Sequence, residues 1–115
     1  MNNYQDLKIW NKAMYLVEQV YLLMELLPED EKYGLISQIK RCSISIPSNI
    51  AEGAGRNSKK EFKHFLSIAN GSTTELETQL LLIRLGFVEE VKINEVINLC
   101  SEIKKMSYAL QKSLT

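Results

Sequence analysis

The run Ser58-Lys59-Lys60-Glu61-Phe62 carries the strongest local signal in the chain. A serine followed three residues later by glutamate matches the capping box that opens a helix, each side chain satisfying an amide at the other's position. Downstream, Phe62, Leu66, Ala69, Thr73, Leu76, Leu80 and Ile83 keep strict four-three spacing, the signature of one apolar helix face. The helix is expected to run to about Leu85, with Gly86 closing it.

The same periodicity recurs on both sides. From about Asp6 to Leu27, the positions Leu7, Trp10, Met14, Val17, Tyr21 and Met24 form a heptad-like stripe. Ala13, Leu16, Val20, Leu23 and Leu27 widen it to a second flank. Pro28 is expected to stop this helix, and Glu29-Asp30-Glu31 to set negative charge near the start of the next, where the macrodipole favours it. From about Glu31 to Ala54 the stripe is Leu35, Ile39, Cys42, Ile46 and Ile50. Pro47 sits inside it, at a usual cost of about 3 kcal/mol. One kinked helix, its freed carbonyl at Ser43 finding another donor, is favoured over two short helices. Gly53-Ala54-Gly55 then suits a left-handed C-terminal cap. A fourth segment begins near Lys92 and repeats Val96, Cys100, Ile103, Ser107, Leu110 and Leu114. Four long helices joined by short connections predict an all-α, antiparallel up-down-up-down four-helix bundle, kinked at Pro47 in its second helix.

Composition agrees with one soluble domain over residues 1–115. The hydrophobic share is 45% and the charged share 24%, ordinary for a globular chain. Fourteen basic residues balance fourteen acidic ones, so the molecule as a whole has no net attraction for a polyanion. Two cysteines and one histidine fall short of a closed four-ligand zinc site. Met1-Asn2-Asn3-Tyr4 lacks the basic start and apolar run of a signal peptide. No apolar run nears the ~20 residues of a membrane span. Cytoplasmic location, with Cys42 and Cys100 reduced and packed in the core, is the expectation.

Two places depart from a plain bundle. In Ser43-Ile44-Ser45-Ile46-Pro47-Ser48-Asn49, weak helix formers crowd a helix interior. Arg41, Ser45, Ser48 and Glu52 line up as a polar stripe, answered on the third helix by Asn70-Gly71-Ser72 and Glu75. Either Asn49, Glu52, Ser72 and Glu75 join an inter-helix network that fixes register, with Arg41 paired to Glu75 or Glu52, or they shape a binding surface. Charge is the second departure. Residues 40–64 carry +4, leaving −4 elsewhere. Arg56, Lys59, Lys60 and Lys63 gather around a turn that opens a helix, whose free amides suit a phosphate. The readings are a nucleic-acid contact, a dock for an acidic protein, or a solvated turn. Catalytic and metal constellations are missing: Gly53-Ala54-Gly55 lacks the strand and later glycine of a phosphate loop, His64 stands alone among lysines, and Glu75 and Glu77 point to different helix faces. No cofactor is expected.

Asp6-Leu7, Trp10 and Ala13, then Tyr33-Gly34-Leu35, Gln38 and Arg41, lead into Ser45-Ile46-Pro47-Ser48-Asn49-Ile50-Ala51-Glu52-Gly53. Phe62, Phe65-Leu66, Ala69, Gly71-Ser72 and Glu75 follow in register. Over about Tyr4 to Phe87 the chain resembles the four-helix-bundle proteins encoded by intervening sequences of bacterial 23S ribosomal RNA genes, with Cys42 where that family has alanine. The resemblance implies a four-helix bundle and a ring-like homo-oligomer, a pentamer. Related accessory proteins of diversity-generating retroelements are strongly basic bundles that bind nucleic acid and a reverse transcriptase, and the neutral charge here departs from them. The leading expectation is a non-catalytic oligomer binding structured RNA or DNA, with Arg41, Arg56, Lys59, Lys60 and Lys63 on phosphates. The alternative is a protein-interaction scaffold with Trp10 and its neighbours at the subunit seam. An enzyme, with a ligand held between chains near Glu52 and Glu75, is the least supported reading.

Overall fold

A computed structural model of the chain describes residues 3–28, 32–85 and 90–115. Within them lie four α-helices and no strand: α1, Lys8–Met24; α2, Ser37–Ala54; α3, Lys59–Arg84; and α4, Glu90–Ser113. A 3₁₀ turn at Tyr4–Asp6 precedes α1, and a stretch of π-helix at Lys32–Ile36 leads into α2. Asp6 is therefore outside α1, which its Asn11 amide ties to that turn by donating to the carbonyls of Gln5 and Leu7, both at 3.0 Å. The positions of Glu29–Glu31 and Gly86 lie outside the described residues.

Each helix packs against two others, α1 on α2, α2 on α3, α3 on α4, and α4 back on α1. They enclose one core, in which Leu16, Ile39, Ile46, Phe62, Leu76 and Ile103 are almost fully buried. Along α3 every position of the predicted stripe is inside. Along α1 the two expected flanks are covered unequally, with Met24 of the heptad-like stripe buried and Leu7 and Trp10 packed against the core. Ile9, Ala13, Leu16, Val20 and Leu23 are buried, whereas Met14 and Tyr21 of the heptad-like stripe are exposed. Both faces have helical spacing, so neighbours rather than periodicity select the one that is covered.

The contacts give the register. Gly53 of α2 lies against Phe62 and Phe65 of α3, and the Cys42 thiol donates to the Ser72 carbonyl at 3.1 Å. Between α3 and α4, Lys63 Nζ approaches Thr115 Oγ1 at 3.4 Å, Lys104 Nζ meets Glu77 Oε1 at 2.7 Å, and Arg84 donates to Asn94 Oδ1 at 3.0 Å. Between α1 and α4, Lys12 pairs with Glu102 at 2.8 Å, and Leu23 and Val96 border one cleft.

The α2 helix runs unbroken through the buried Pro47, as one helix rather than two. The surrounding hydroxyls serve other carbonyls than the one proline frees. Ser43 Oγ donates to Lys40 O at 2.8 Å, Ser45 Oγ to Cys42 O at 2.6 Å and Ser48 Oγ to Ile44 O at 2.8 Å. Among the described residues no side chain donates to the Ser43 carbonyl, contrary to expectation. Gly55 is also not a left-handed cap: it is right-handed, with φ −83° and ψ −5°. The glycine that matters is Gly53, where a Cβ would stand 2.7 Å from Phe65 Cβ and 3.3 Å from the Phe62 carbonyl. Its missing side chain is what lets the end of α2 approach the start of α3.

Candidate nucleic-acid interface

The basic turn is built by that close approach. Gly55 N donates to Ala51 O at 3.1 Å and Arg56 N to Gly53 O at 3.1 Å, finishing α2. Ser58, with extended backbone, accepts from Glu61 N at 3.1 Å and starts α3. This is the serine half of the predicted capping box, with no return bond from the Ser58 amide to the Glu61 carboxylate among the described residues, and the first-turn amides of Lys59 and Lys60 have no intrahelical acceptor. Both lysines are exposed, and neither has an ion-pair partner among the described residues. The Arg56 guanidinium lies 4.8 Å over the Phe65 ring and 3.7 Å from the Glu52 carboxylate. Such an exposed i,i+4 pair is worth well under about 1 kcal/mol, so Arg56 remains free to exchange it for a phosphate. His64 is a surface residue stacked edge-on to Phe65 at 5.6 Å.

Beside the turn, the end of α4 closes on the start of α3. Lys63, Tyr108, Gln111, Lys112 and Thr115 line a shallow groove of about 220 Å³. Its α4 residues escape sequence reasoning because they come within reach of Lys63 only when the helices pair. Their single sequence sign is the polar-aromatic spacing on the side of α4 away from its apolar stripe.

Arg41 does not join this cluster. From Arg41 the helix climbs about 20 Å before it ends at Ala54, two residues short of Arg56. Arg41 borders a different cavity, of about 300 Å³, with Gln38, Cys42, Ser45, Ser72 and Glu75. Two of the four predicted network residues, Ser72 and Glu75, are thus brought to Arg41. Asn49 and Glu52 are not: the Asn49 amide donates to Ser45 O of its own helix at 2.8 Å, and Glu52 faces Arg56. No ion pair forms from Arg41 to Glu75 or Glu52 among the described residues, and the expected pairing is replaced by Arg56–Glu52 and by a Gln79 Nε2–Glu75 Oε1 contact at 3.4 Å. The α2–α3 cross-link is instead the Cys42–Ser72 carbonyl bond.

Burial, reinforced by the Glu75 carboxylate, pushes the Cys42 thiol up to about 12. Burial, then Glu77, does the same to Cys100, also to about 12. Both cysteines are free and stay protonated at neutral pH, the opposite of what a nucleophile or a metal thiolate requires. Among the described residues no three His, Cys, Asp or Glu side chains converge on a metal position, and no helix is long and apolar enough to cross a membrane.

No curated protein matches the chain. Among solved structures it is similar to a protein of unknown function from the S23 ribosomal protein family of Bacteroides thetaiotaomicron, with 27% identity and a TM-score of 0.81 over 90% of this chain and 98% of that one. Residues 5–109 match the model of the 23S rRNA-intervening sequence proteins, which is the family to which this chain belongs.

Proposed function

We propose that this protein is a non-catalytic, cytoplasmic homo-oligomer that binds structured RNA or another nucleic acid through the turn between α2 and α3. Its subunit is an antiparallel up-down-up-down bundle, kinked at Pro47. Contacts that climb one helix while descending the next support that arrangement, as between Lys63–Thr115 and Arg84–Asn94. The observation that carries the binding reading is the exposed basic group at Arg56, Lys59 and Lys60, set against a helix N-terminus. Cations and first-turn amides without an intrahelical acceptor together suit phosphate. A ring, a pentamer in the reading from resemblance, would repeat the group around an axis and add avidity without any new contact.

The test is a salt titration of wild type and the Lys59→Glu/Lys60→Glu variant against labelled structured RNA and duplex DNA. About four phosphate contacts give a log–log slope of about −4 on duplex and about −3 on a single strand. Charge reversal abolishes binding and leaves oligomer mass unchanged. Unaltered binding in the variant removes the turn from the interface. A protein-interaction scaffold is the second reading. It is favoured by apolar surface elsewhere: Tyr4, Trp10, Met14, Val17 and Ile44 border a largely apolar groove between α1 and α2. A co-purifying acidic protein, with no nucleic acid, would select it.

A further inference from the structure

We propose that the groove between the start of α3 and the end of α4 is a subsite for a single-stranded nucleotide segment, with Tyr108 as its stacking platform. The inference rests on the nucleic-acid reading of the neighbouring turn and adds to it a preference for unpaired strand. Tyr108 is 62% exposed, a large aromatic ring left largely in solvent. Two cations attend it: Lys112 Nζ sits over one face of the ring, 5.4 Å from its centroid, where an incoming base would displace it or use the opposite face, and Lys63 reaches across from α3 to Thr115. None of the five lining side chains is acidic. Gln111 Nε2 donates to Ser107 Oγ at 3.1 Å, which orients the amide and leaves its oxygen as an acceptor for a base edge.

A π face flanked by lysines, with one oriented amide, is the chemistry that takes unpaired bases. A duplex keeps its bases stacked on one another and offers the ring nothing, although its phosphates can still engage the turn. The groove and the turn are also continuous. Lys63 stands one helical turn from Lys59 and Lys60, about 6 Å along α3, so a strand whose phosphates lie on the turn can pass a base to Tyr108.

The experiment compares the full chain with Tyr108→Ala and Tyr108→Phe, using a labelled single-stranded RNA oligomer and a duplex of equal length at one low salt concentration. Tyr108→Ala is expected to weaken the single strand about tenfold and to leave the duplex unchanged, while Tyr108→Phe keeps wild-type affinity for both. An abasic oligomer with the same phosphates should bind wild type as weakly as the intact oligomer binds Tyr108→Ala. Equal weakening of both ligands by Tyr108→Ala, or of neither, overturns the stacking subsite. If Lys59→Glu/Lys60→Glu still abolishes binding in that case, the phosphate-binding turn stands without it. Wild-type protein that binds neither ligand overturns both.

Discussion

Where α2 hands over to α3, the molecule is closed tightly: Gly53 admits Phe62 and Phe65, Ser58 caps α3, and Lys63 reaches the end of α4. Where α1 stops and α4 begins, large apolar side chains stay open instead. Leu22, Leu26, Leu81 and Leu82 are about half exposed, and Leu85 is 83% exposed. About 39 Å of α3 separates the two regions. The first end spends its surface on cations over a finished core. The second leaves an uncovered patch of the kind that marks association in a soluble protein. The handover from α2 to α3 therefore sets cations over a finished core, whereas apolar surface is left open at the far end and again in the groove lined by Tyr4, Trp10 and Ile44 between α1 and α2.

The sharpest way to break this contrast is to truncate one apolar side chain at each end. Phe62→Ala is expected to cost about 4 kcal/mol, because a fully buried ring leaves a cavity. Leu82→Ala should change monomer stability by no more than about 0.5 kcal/mol. Urea unfolding measures both, and similar losses would show that the far end is as closed as the near one.

A smaller effect, with a change of sign, separates the glycines. Gly53→Ala should destabilise by about 1–2 kcal/mol, since the new methyl meets the Cβ of Phe65 and a backbone carbonyl, neither of which can swing aside. Gly71 in α3 has nothing within 4 Å of a built Cβ, so Gly71→Ala should stabilise by about 0.5–1 kcal/mol through helix propensity. Thermal unfolding of the two variants gives the comparison, and the same sign for both would contradict the close approach at Gly53.

The smallest change in subunit stability belongs to Leu26→Glu/Leu82→Glu, within about 0.5 kcal/mol for each exposed site. Its expected readout is mass: light scattering should show a smaller oligomer, with RNA affinity per subunit reduced only by lost avidity. Unchanged mass would exclude this patch from any subunit seam, with the groove beside Trp10 the next surface to test.

Much of this was legible before any fold was drawn. The stripe of α3 has one apolar face, so spacing alone identified Phe62, Leu66, Leu76 and Ile83 as core, and the capping box located its start. The stripe of α1 has two apolar faces, and spacing could not tell that Ala13 and Leu16 would be covered while Met14 and Tyr21 were left outside. The basic turn was legible as charge because its residues are contiguous. Arg41 was grouped with them by composition, but helical rise carries it away from the turn and toward Ser72 and Glu75.

Local chemistry in the sequence was sufficient for four helices, the serine cap and the place of the cationic turn. These depend on residues within a few turns of one another, where backbone geometry sets the distances. Tertiary structure alone decided which face of α1 is buried, that Gly53 is a point of contact rather than a stop, and that Tyr108 and Lys112 stand beside Lys63. Those outcomes join residues from different helices, and only the packing of one helix on another brings them within reach.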